Sequence, residues 1–399
     1  MTASSIVILL CLCVVCSVAQ VLPKEAYLST PELVAAAGYP VERHRVTTDD
    51  GYILQAHRIP AGKRAARKSS LDYPKMKKAI LIGHGLLGSS GDFVIMGPER
   101  SLAYLLADAG YDVWLANFRG TVYSSHENYT KNDCRFWEFS FHEHGKYDLP
   151  ATIDKVLEVT GLSEILYIGY SMGTTTFFTM MSQRPEYNEK LVAFFALAPA
   201  VYLDSIKGLA SVLLKTMDFP GTARNQGMIS FSIKRDLLDM ATNLCSAREA
   251  RNDICMQLIY AVVGADYEQY DPEMTPVIIA RAQPASWRQF EHFGKIAITG
   301  VFTSWEDGLW GAVKPYNFSK IDIPVSILYG ENDMLTHKSG VKRLARELRE
   351  IGVLEEMKPA CKWPKFNHLD FTFAKDVGNI FNKPFINKVH YVYNKYSKT

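Results

Sequence analysis

Apolar residues fall into short runs that alternate with longer amphipathic stretches through the first half of the chain. Residues 42–59 have the alternation of an antiparallel hairpin, with a turn at Asp49-Asp50-Gly51. From residue 79 to residue 200, β-prone runs alternate with helical patterns, which is typical of a parallel sheet. We therefore predict an α/β core with a mostly parallel sheet in this part of the chain.

The alternation stops after residue 200 and returns only at Ile321. Residues 201–318 show helical periodicity and aromatic, proline-interrupted loops, which indicates a mainly helical cap inserted into the core. The core would then comprise residues 20–200 and 319–399. Within the cap, a three-four spacing of apolar residues predicts an amphipathic helix, and such an apolar face usually packs on the core. Its apolar positions are Ile233, Leu237, Met240, Ala241 and Leu244.

The N-terminus carries an apolar stretch, residues 6–18, that is too short to span a bilayer. Small residues at positions 17–19 resemble a cleavage site, so residues 1–19 are interpreted as a signal peptide that is removed on export. No basic residue lies close to Met1, which leaves an uncleaved anchor as the alternative. The prediction is a secreted protein without a stable transmembrane anchor.

Composition narrows the class of protein further. The chain has 44 basic and 42 acidic residues in 399, and this near-balance gives no extended basic surface for nucleic acid. A hydrophobic content of 48% is enough to bury one large core plus an insertion. The sequence contains no cysteine spacing typical of zinc sites, and we predict neither a metal nor a cofactor. Oligomeric state is left open.

Residues 169–173, Gly-Tyr-Ser-Met-Gly, lie between a β-prone run at residues 165–168 and a helical stretch at residues 174–183. A serine between two glycines on such a strand-to-helix turn is typical of a nucleophile elbow. Both glycines are needed because a Cβ at either position would collide with neighbouring backbone. Ser171 is therefore the candidate nucleophile, and the alternative is a turn serine without a catalytic role.

A second glycine-rich turn, His84-Gly85-Leu86-Leu87-Gly88, follows a predicted buried strand at residues 78–83. In hydrolases with an elbow, one backbone N–H from such a loop and one from the residue after the nucleophile hold the oxyanion of the tetrahedral intermediate. By position, these donors are Leu86 and Met172. The alternative is a strand-end turn with no catalytic role.

A serine nucleophile needs a base and an acid that orients the base. The strand-like run at residues 323–329 leads into Glu331 and Asp333, so an acid lies at the carboxyl end of a late strand, on the same sheet edge as the elbow. We predict Asp333 as the acid, with Glu331 as the alternative. His368 is the predicted base, because it lies in a loop ahead of the C-terminal helix and the order Ser171, Asp333, His368 suits this arrangement. The rival histidines are His44, His57, His84, His126, His142, His144, His292, His337 and His390.

Longer blocks of sequence carry a resemblance to a known family. They include residues 46–54 (Val-Thr-Thr-Asp-Asp-Gly-Tyr-Ile-Leu), 84–90 (His-Gly-Leu-Leu-Gly-Ser-Ser), 105–117 with Arg119-Gly120, 136–137, 139–141, 146–154 and 366–371 (Phe-Asn-His-Leu-Asp-Phe). In these blocks, over nearly its whole mature length, the chain resembles the acid lipase family that includes gastric lipase and lysosomal acid lipase.

The resemblance implies an α/β-hydrolase fold with an inserted cap and the activity of a carboxylic ester hydrolase. The family's triad maps onto Ser171, Asp333 and His368, and its oxyanion hole maps onto Leu86 and Met172. The implied substrates are triacylglycerols and cholesteryl esters met at a lipid–water interface, with the amphipathic cap helix as a lid. A lysosomal location is the implied alternative to secretion.

The elbow departs from the family pattern, which usually reads Gly-His-Ser-Gln-Gly. This chain has Tyr170 in place of that histidine and Met172 in place of that glutamine. The nucleophile and the backbone donor at Met172 are kept, whereas substrate preference and pH response come into question, since a titratable imidazole is replaced by a phenol. Two alternative functions are therefore kept: a catalytically inactive lipid-binding relative, and an esterase for shorter esters.

Four of the seven cysteines lie beyond the predicted signal peptide. Cys245 and Cys255 are close enough to close a short loop, and the family has a disulfide at a comparable place, so the resemblance implies that bridge. Cys134 and Cys361 either pair or stay as buried thiols. Asn128 and Asn317 begin glycosylation sequons, which would be modified if they are exposed.

Overall fold

A nine-stranded sheet forms the centre of the computed structural model, which describes residues 23–66, 78–216, 221, 227–231, 254–306 and 308–398. The strands are β1 (Glu42–Thr47), β2 (Tyr52–Ile59), β3 (Ala79–Gly83), β4 (Asp112–Leu115), β5 (Ser124–His126), β6 (Ile165–Tyr170), β7 (Leu191–Leu197), β8 (Val325–Tyr329) and β9 (Leu354–Pro359). Their order is β1-β2-β4-β3-β6-β7-β8-β9, with β5 paired to β2.

The sheet is parallel from β4 to β9 and antiparallel where β2 meets β1, β4 and β5. In the hairpin, β1 and β2 pair from Glu42 opposite Arg58 to Thr47 opposite Ile53, around the predicted turn. The predicted hairpin and the predicted parallel core are both confirmed.

The α-helices of six or more residues within the same ranges are α1 (Thr30–Ala36), α2 (Leu102–Asp108), α3 (Leu149–Thr160), α4 (Met172–Gln183), α5 (Gly208–Thr216), α6 (Ile254–Val263), α7 (Thr275–Ala280), α8 (Trp287–Thr299), α9 (Lys338–Glu350) and α10 (Lys383–Tyr396). The other helical turns, of three to six residues, are Lys24–Ala26, Lys63–Ala66, Ser90–Phe93, Cys134–Trp137, Phe141–Glu143, His144–Asp148, Pro185–Lys190, Asp370–Phe373 and Gly378–Asn382. None of the helices in the described ranges is long and apolar enough to cross a membrane.

The central strands are apolar on both faces, which explains why their sequences read as continuous hydrophobic runs. Successive side chains point to opposite faces, so Tyr167 and Phe194 join the core layer under α3, α4 and α9. Ile168 and Phe195 join the layer under α1, α2 and α10. Helices thus cover both faces of the sheet.

The chain leaves the sheet after β7 and returns to it at β8, where Leu197 pairs with Leu328. The described part of this insertion contains α5, α6, α7 and α8, of which α5 contacts both α6 and α8. A helical insertion is therefore present as predicted, while the exact boundaries at residues 201 and 318 stay a prediction. The predicted signal peptide and the amphipathic stretch from Ile233 to Leu244 lie outside the described residues.

An ion network ties the hairpin to the parallel core, and it is buried except at Asp50, whose side chain is 28% exposed. The guanidinium of Arg119, in the loop after β4, contacts Asp148 just before α3 and Asp50 in the hairpin turn. The backbone N–H of Arg119 also donates to Asp148 at 2.9 Å, and the ring of Tyr52 stacks 3.9 Å from the guanidinium carbon. Each charge is matched inside a low-dielectric environment, so the network fixes three chain segments that are distant in sequence.

Candidate active site

Ser171 occupies the sharp turn between β6 and α4. Its φ of 51° and ψ of −116° lie in a region that non-glycine residues rarely adopt, and such strain concentrates at functional sites. A Cβ on Gly173 would lie 2.4 Å from the carbonyl oxygen of Gly83, and one on Gly169 would lie 2.7 Å from the carbonyl oxygen of Gly173. The predicted need for both glycines is confirmed.

The structure brings Ser171, His368 and Asp333 together at the carboxyl edge of the sheet. His368 Nε2 lies 2.8 Å from Ser171 Oγ, and His368 Nδ1 lies 2.8 Å from Asp333 Oδ2. Because an ionised carboxylate only accepts hydrogen bonds, the proton on Nδ1 is donated to Asp333, and Nε2 is left to accept from the serine hydroxyl. His368 and Asp333 are 4% and 2% exposed, so water competes little for these bonds.

Asp333 is fixed by the turn that follows β8. Its Oδ1 accepts the backbone N–H groups of Leu335 and Thr336, at 2.9 and 2.8 Å, and its Oδ2 accepts the Thr336 hydroxyl at 2.6 Å. These donors fix the orientation of the carboxylate and aim one oxygen at the imidazole. The alternative acid, Glu331, instead binds Lys338 at 2.8 Å and does not take this place.

The loop that carries His368 is held by its own neighbours. The side chain of Asn367 accepts the N–H groups of Leu369 and Asp370, and the Asp370 carboxylate accepts the N–H of Asn367 at 2.6 Å. Asn367 also donates to the carbonyl of Gly264 in the insertion. This reciprocal pair was not predicted from the sequence, although an Asn and an Asp three residues apart are a known local signal of such a cap.

The turn proposed as one wall of the oxyanion hole passes directly beside the nucleophile. A Cβ built on Gly85 would lie 3.3 Å from the Cβ of Ser171, so this backbone approaches the serine closely. The N–H of Met172 belongs to the first turn of α4, where helix geometry supplies no internal acceptor. The carbonyl of Leu87, which has a φ of 62°, accepts the N–H of Gln283 from the insertion. The turn that carries Leu86 lies close to the serine, and Met172 follows it at the start of α4, while their role as oxyanion donors stays a prediction.

His84 fixes the shape of that turn. Its Nε2 accepts the N–H of Phe118 at 3.1 Å, which makes Nδ1 the protonated nitrogen that donates to the carbonyl of Gly85 at 2.8 Å. Burial lowers the pKa of His84 to about 4, so the ring stays neutral. From the sequence His84 is only a rival base, whereas in the structure it supports the turn.

A second buried imidazole leads to a prediction about pH. Burial and, to a lesser degree, Arg43 lower the pKa of His57 to about 3. Both His57 and His84 bind protons more readily when unfolded, so stability should fall as the pH drops below about 6.5 toward these folded pKa values. Between pH 7 and pH 5 we expect each ring to remove about 2 kcal/mol of unfolding free energy, as measured by urea denaturation.

The matched variant for this experiment is His57→Gln, which keeps polar atoms at the site but cannot titrate. Its unfolding free energy should change less between the two pH values than that of the unaltered protein. Equal stability of the unaltered protein at pH 5 and pH 7 would contradict the prediction.

The two elbow residues that depart from the family pattern both reach distant parts of the chain. The hydroxyl of Tyr170 donates to the carbonyl of His368 at 2.9 Å, and the side-chain amide of Gln289, in α8, donates to the sulfur of Met172 at 3.2 Å. Both side chains are buried. These contacts could not be predicted from the sequence because the partners lie 198 and 117 positions away.

The other predicted positions have mixed outcomes. Asn128 and Asn317 are both exposed, as modification of their sequons requires. Cys134 and Cys361 are free thiols, and Cys134 is exposed because it begins a surface turn, so the expectation that unpaired thiols would be buried is wrong for it. The predicted Cys245–Cys255 bridge lies outside the part of the chain with described side chains. Within the described ranges, no cluster of three or more His, Cys, Asp or Glu side chains could hold a metal ion.

Two family models match the chain. One, described as a partial alpha/beta-hydrolase lipase region, matches residues 30–97, and the other, described as the alpha/beta hydrolase fold, matches residues 78–232. The chain is 37% identical to "Lipase 1" of Drosophila melanogaster over 365 residues, which cover 89% of this chain and 78% of that protein. It is 33% identical to "Gastric triacylglycerol lipase" of Bos taurus over 369 residues, which cover 88% of each chain.

A solved structure supports the fold alone. A soluble variant of the monoglyceride lipase of Saccharomyces cerevisiae matches with a TM-score of 0.54 and 16% sequence identity, over 90% of this chain and 97% of that one. The predicted fold, with its mostly parallel sheet and helical insertion, is confirmed.

Proposed function

The chain belongs to the acid lipase family of α/β-hydrolases and is a carboxylic ester hydrolase, and from that premise we propose that it hydrolyses neutral lipid esters through an acyl-enzyme on Ser171. The observation that carries the proposal is the unbroken hydrogen-bond chain from Asp333 through His368 to Ser171, with both links at 2.8 Å. A serine hydroxyl becomes a competent nucleophile when an oriented imidazole takes its proton.

The reaction proceeds in two halves. His368 Nε2 takes the proton of Ser171 Oγ as the oxygen attacks the ester carbonyl, and Asp333 stabilises the imidazolium that forms. The N–H groups of Leu86 and Met172 bind the oxyanion of the tetrahedral intermediate, and His368 then gives its proton to the departing alcohol. Water, activated by the same imidazole, attacks the acyl-serine and releases the fatty acid.

Apolar surroundings of the site favour a lipid substrate. Leu86, Leu335 and Leu369, each next to or near a residue of the site in sequence, are partly buried members of the adjoining apolar clusters. The proposed oxyanion donor at Leu86 is its main-chain N–H, so the Leu86 side chain is free to contact an acyl chain. Together with relatives named gastric triacylglycerol lipase, this supports triacylglycerols as the first substrate class and cholesteryl esters as the second.

The insertion offers an apolar surface suited to a lipid–water interface. Of the twelve large apolar side chains exposed in the described residues, eight lie between β7 and β8, although this segment is less than a third of the chain. They are Leu209, Val212, Met228, Ile229, Leu258, Ile298, Trp310 and Val313. Such a concentration favours adsorption to lipid rather than a freely dissolved substrate.

The proposed location is outside the cell, with the lysosome as the alternative. Both sequons are exposed, which is compatible with a glycosylated protein of the secretory pathway. Expression in a secretory host should yield a protein whose mass falls on glycosidase treatment, and an Asn128→Gln, Asn317→Gln double variant should lack that loss.

The substrate experiment compares triolein and cholesteryl oleate emulsions with p-nitrophenyl esters of increasing chain length. A lipase should gain rate with longer acyl chains and with an interface, whereas a short-chain esterase should prefer the butyrate in solution. Labelling of the protein by a fluorophosphonate separates both from an inactive lipid-binding relative. Absence of hydrolysis and of Ser171 labelling would refute the proposed function.

Trp310 gives a prediction about the interface. It is 76% exposed in the insertion, and large amphipathic rings of this kind favour a membrane–water boundary. For Trp310→Ser we expect the rate on emulsified triolein to fall by about fivefold or more, since removal of one such ring from an interface costs about 1–2 kcal/mol. Hydrolysis of soluble p-nitrophenyl butyrate should be unchanged.

The matched control is Tyr391→Ser, because Tyr391 is 52% exposed on α10, outside the insertion. It should leave both rates unchanged. Equal loss on the soluble ester and on the emulsion for Trp310→Ser would show that the ring does not act at an interface.

A further inference from the structure

Tyr170 is the last residue of β6 and immediately precedes the nucleophile. Its side chain is 4% exposed and turns toward the loop that carries the base. The hydroxyl donates to the carbonyl oxygen of His368 at 2.9 Å, while the ring lies 5.4 Å from the imidazole and 6.1 Å from the ring of Phe371. One side chain therefore contacts both the backbone and the ring of the base.

The other anchors of this loop lead elsewhere. Asn367 and Asp370 bond to each other, Asn367 donates to Gly264, and the carbonyl of Phe366 accepts the N–H of Asn332. These contacts hold the loop to itself, to the insertion and to the turn after β8. The Tyr170 bond joins it to the strand that carries Ser171.

From this arrangement we propose that Tyr170 is a positioning residue that sets the separation between Ser171 Oγ and His368 Nε2, an inference that rests on the function proposed above. Tyr170 and Ser171 are consecutive in the backbone, so the hydroxyl bond closes a short ring of contacts through Tyr170, His368 and Ser171. Any drift of the His368 backbone away from the elbow has to break this bond.

The distance between Ser171 Oγ and His368 Nε2 matters because the reaction depends on proton transfer between these two atoms. The imidazole takes a proton at the serine and delivers it to the leaving oxygen, and a displacement of about 1 Å in such a geometry lowers rates by about 10²-fold. A single neutral hydrogen bond contributes less than full misplacement, because the remaining anchors still hold the loop. We therefore expect an effect of about tenfold when it is removed.

The donor is also insensitive to pH. Burial raises the pKa of Tyr170 well above its ordinary value, and the nearby carboxylates of Asp333, Asp92 and Asp370 act in the same direction. The phenol thus stays protonated and keeps donating to the carbonyl of His368 from acidic to neutral pH. An imidazole at this position would change charge within that range.

The test compares Tyr170→Phe with Tyr393→Phe, assayed on soluble p-nitrophenyl butyrate. Tyr393 is a buried tyrosine whose hydroxyl also donates to a backbone carbonyl, that of Ala79, far from the site. For Tyr170→Phe we expect kcat to fall about tenfold with KM within twofold, and fluorophosphonate inactivation to slow by a similar factor. Tyr393→Phe should lower thermal stability to a similar extent and leave kcat unchanged.

A folded Tyr170→Phe variant with the kcat of the unaltered protein would overturn the inference. So would an equal loss of kcat in both variants, which would indicate a general effect of stability. A second variant, with 4-aminophenylalanine at position 170, keeps a donor at the ring's para position and should retain kcat within about threefold. If that variant is folded and yet about tenfold slower, donation to His368 is not what positions the base.

The inference and the proposed function fail in different ways. If the unaltered protein neither hydrolyses esters nor reacts with the fluorophosphonate, the function is wrong. If the unaltered protein is active and only the Tyr170→Phe result is negative, the positioning role alone is wrong.

Discussion

Ester hydrolysis is expected to fall by about 10⁴-fold or more when Ser171 is replaced by alanine. The reason is geometric: the hydroxyl is the atom that His368 contacts at 2.8 Å, and no other group of the elbow takes its position on the strained turn. Initial rates on p-nitrophenyl butyrate and on triolein, with folding checked by circular dichroism, measure the effect.

Two further variants sharpen this prediction. His368→Ala should lose a similar factor, and the double variant should lose little more, because residues that act as a unit are not additive. Ser101→Ala is the matched control, since Ser101 is a buried serine in front of α2, away from the site. Retention of more than a few per cent of activity by Ser171→Ala would rule out the assignment.

The largest expected loss of stability follows from Arg119→Met. The substitution leaves Asp148, which is completely buried, without its cation, and an uncompensated buried charge costs about 3–5 kcal/mol. The free energy of unfolding from urea titration at pH 7 should fall by about that amount. Activity should be kept at temperatures where the variant is folded, because Asp50, Asp148 and Tyr52, which the guanidinium contacts, are not members of the triad.

The control for charge and side-chain size is Arg135→Met. Arg135 forms an equally short ion pair with Asp133, at 2.7 Å, but its side chain is 61% exposed. Exposed pairs contribute little to stability, so the unfolding transition should not shift measurably. If both variants lose the same unfolding free energy, burial does not explain the contribution of the Arg119 network to stability.

The sequence predicted those features of the site that depend on residues close together in the chain. The elbow is read from two glycines around Ser171, and the structure shows the backbone contacts that exclude a Cβ at either glycine. The late strand with an acid at its end placed Asp333 on the correct edge of the sheet. The choice between Asp333 and Glu331 depended on the turn after β8, where two N–H groups point at Asp333 and a lysine draws Glu331 away.

Contacts between residues that are far apart in the sequence could not be predicted from local sequence patterns. Tyr170 reads as a substitution beside the nucleophile, and only the fold shows that its hydroxyl meets the backbone of His368. The Arg119 network likewise joins residues whose spacing carries no periodic signal. Strand β9, Leu354–Pro359, is rich in charged residues because it forms a half-buried edge of the sheet. Its sequence therefore has no apolar run from which a strand could be predicted.

The separation of Ser171 from His368 by 197 positions, with the insertion between them, has a consequence for biosynthesis. At about 5–20 residues per second, the ribosome completes the base roughly 10–40 s after the nucleophile. During that interval the nascent chain carries a serine with no proton acceptor beside it. On the proposed mechanism, the newly made polypeptide should therefore not hydrolyse the lipids of the producing cell before its carboxy-terminal segment docks.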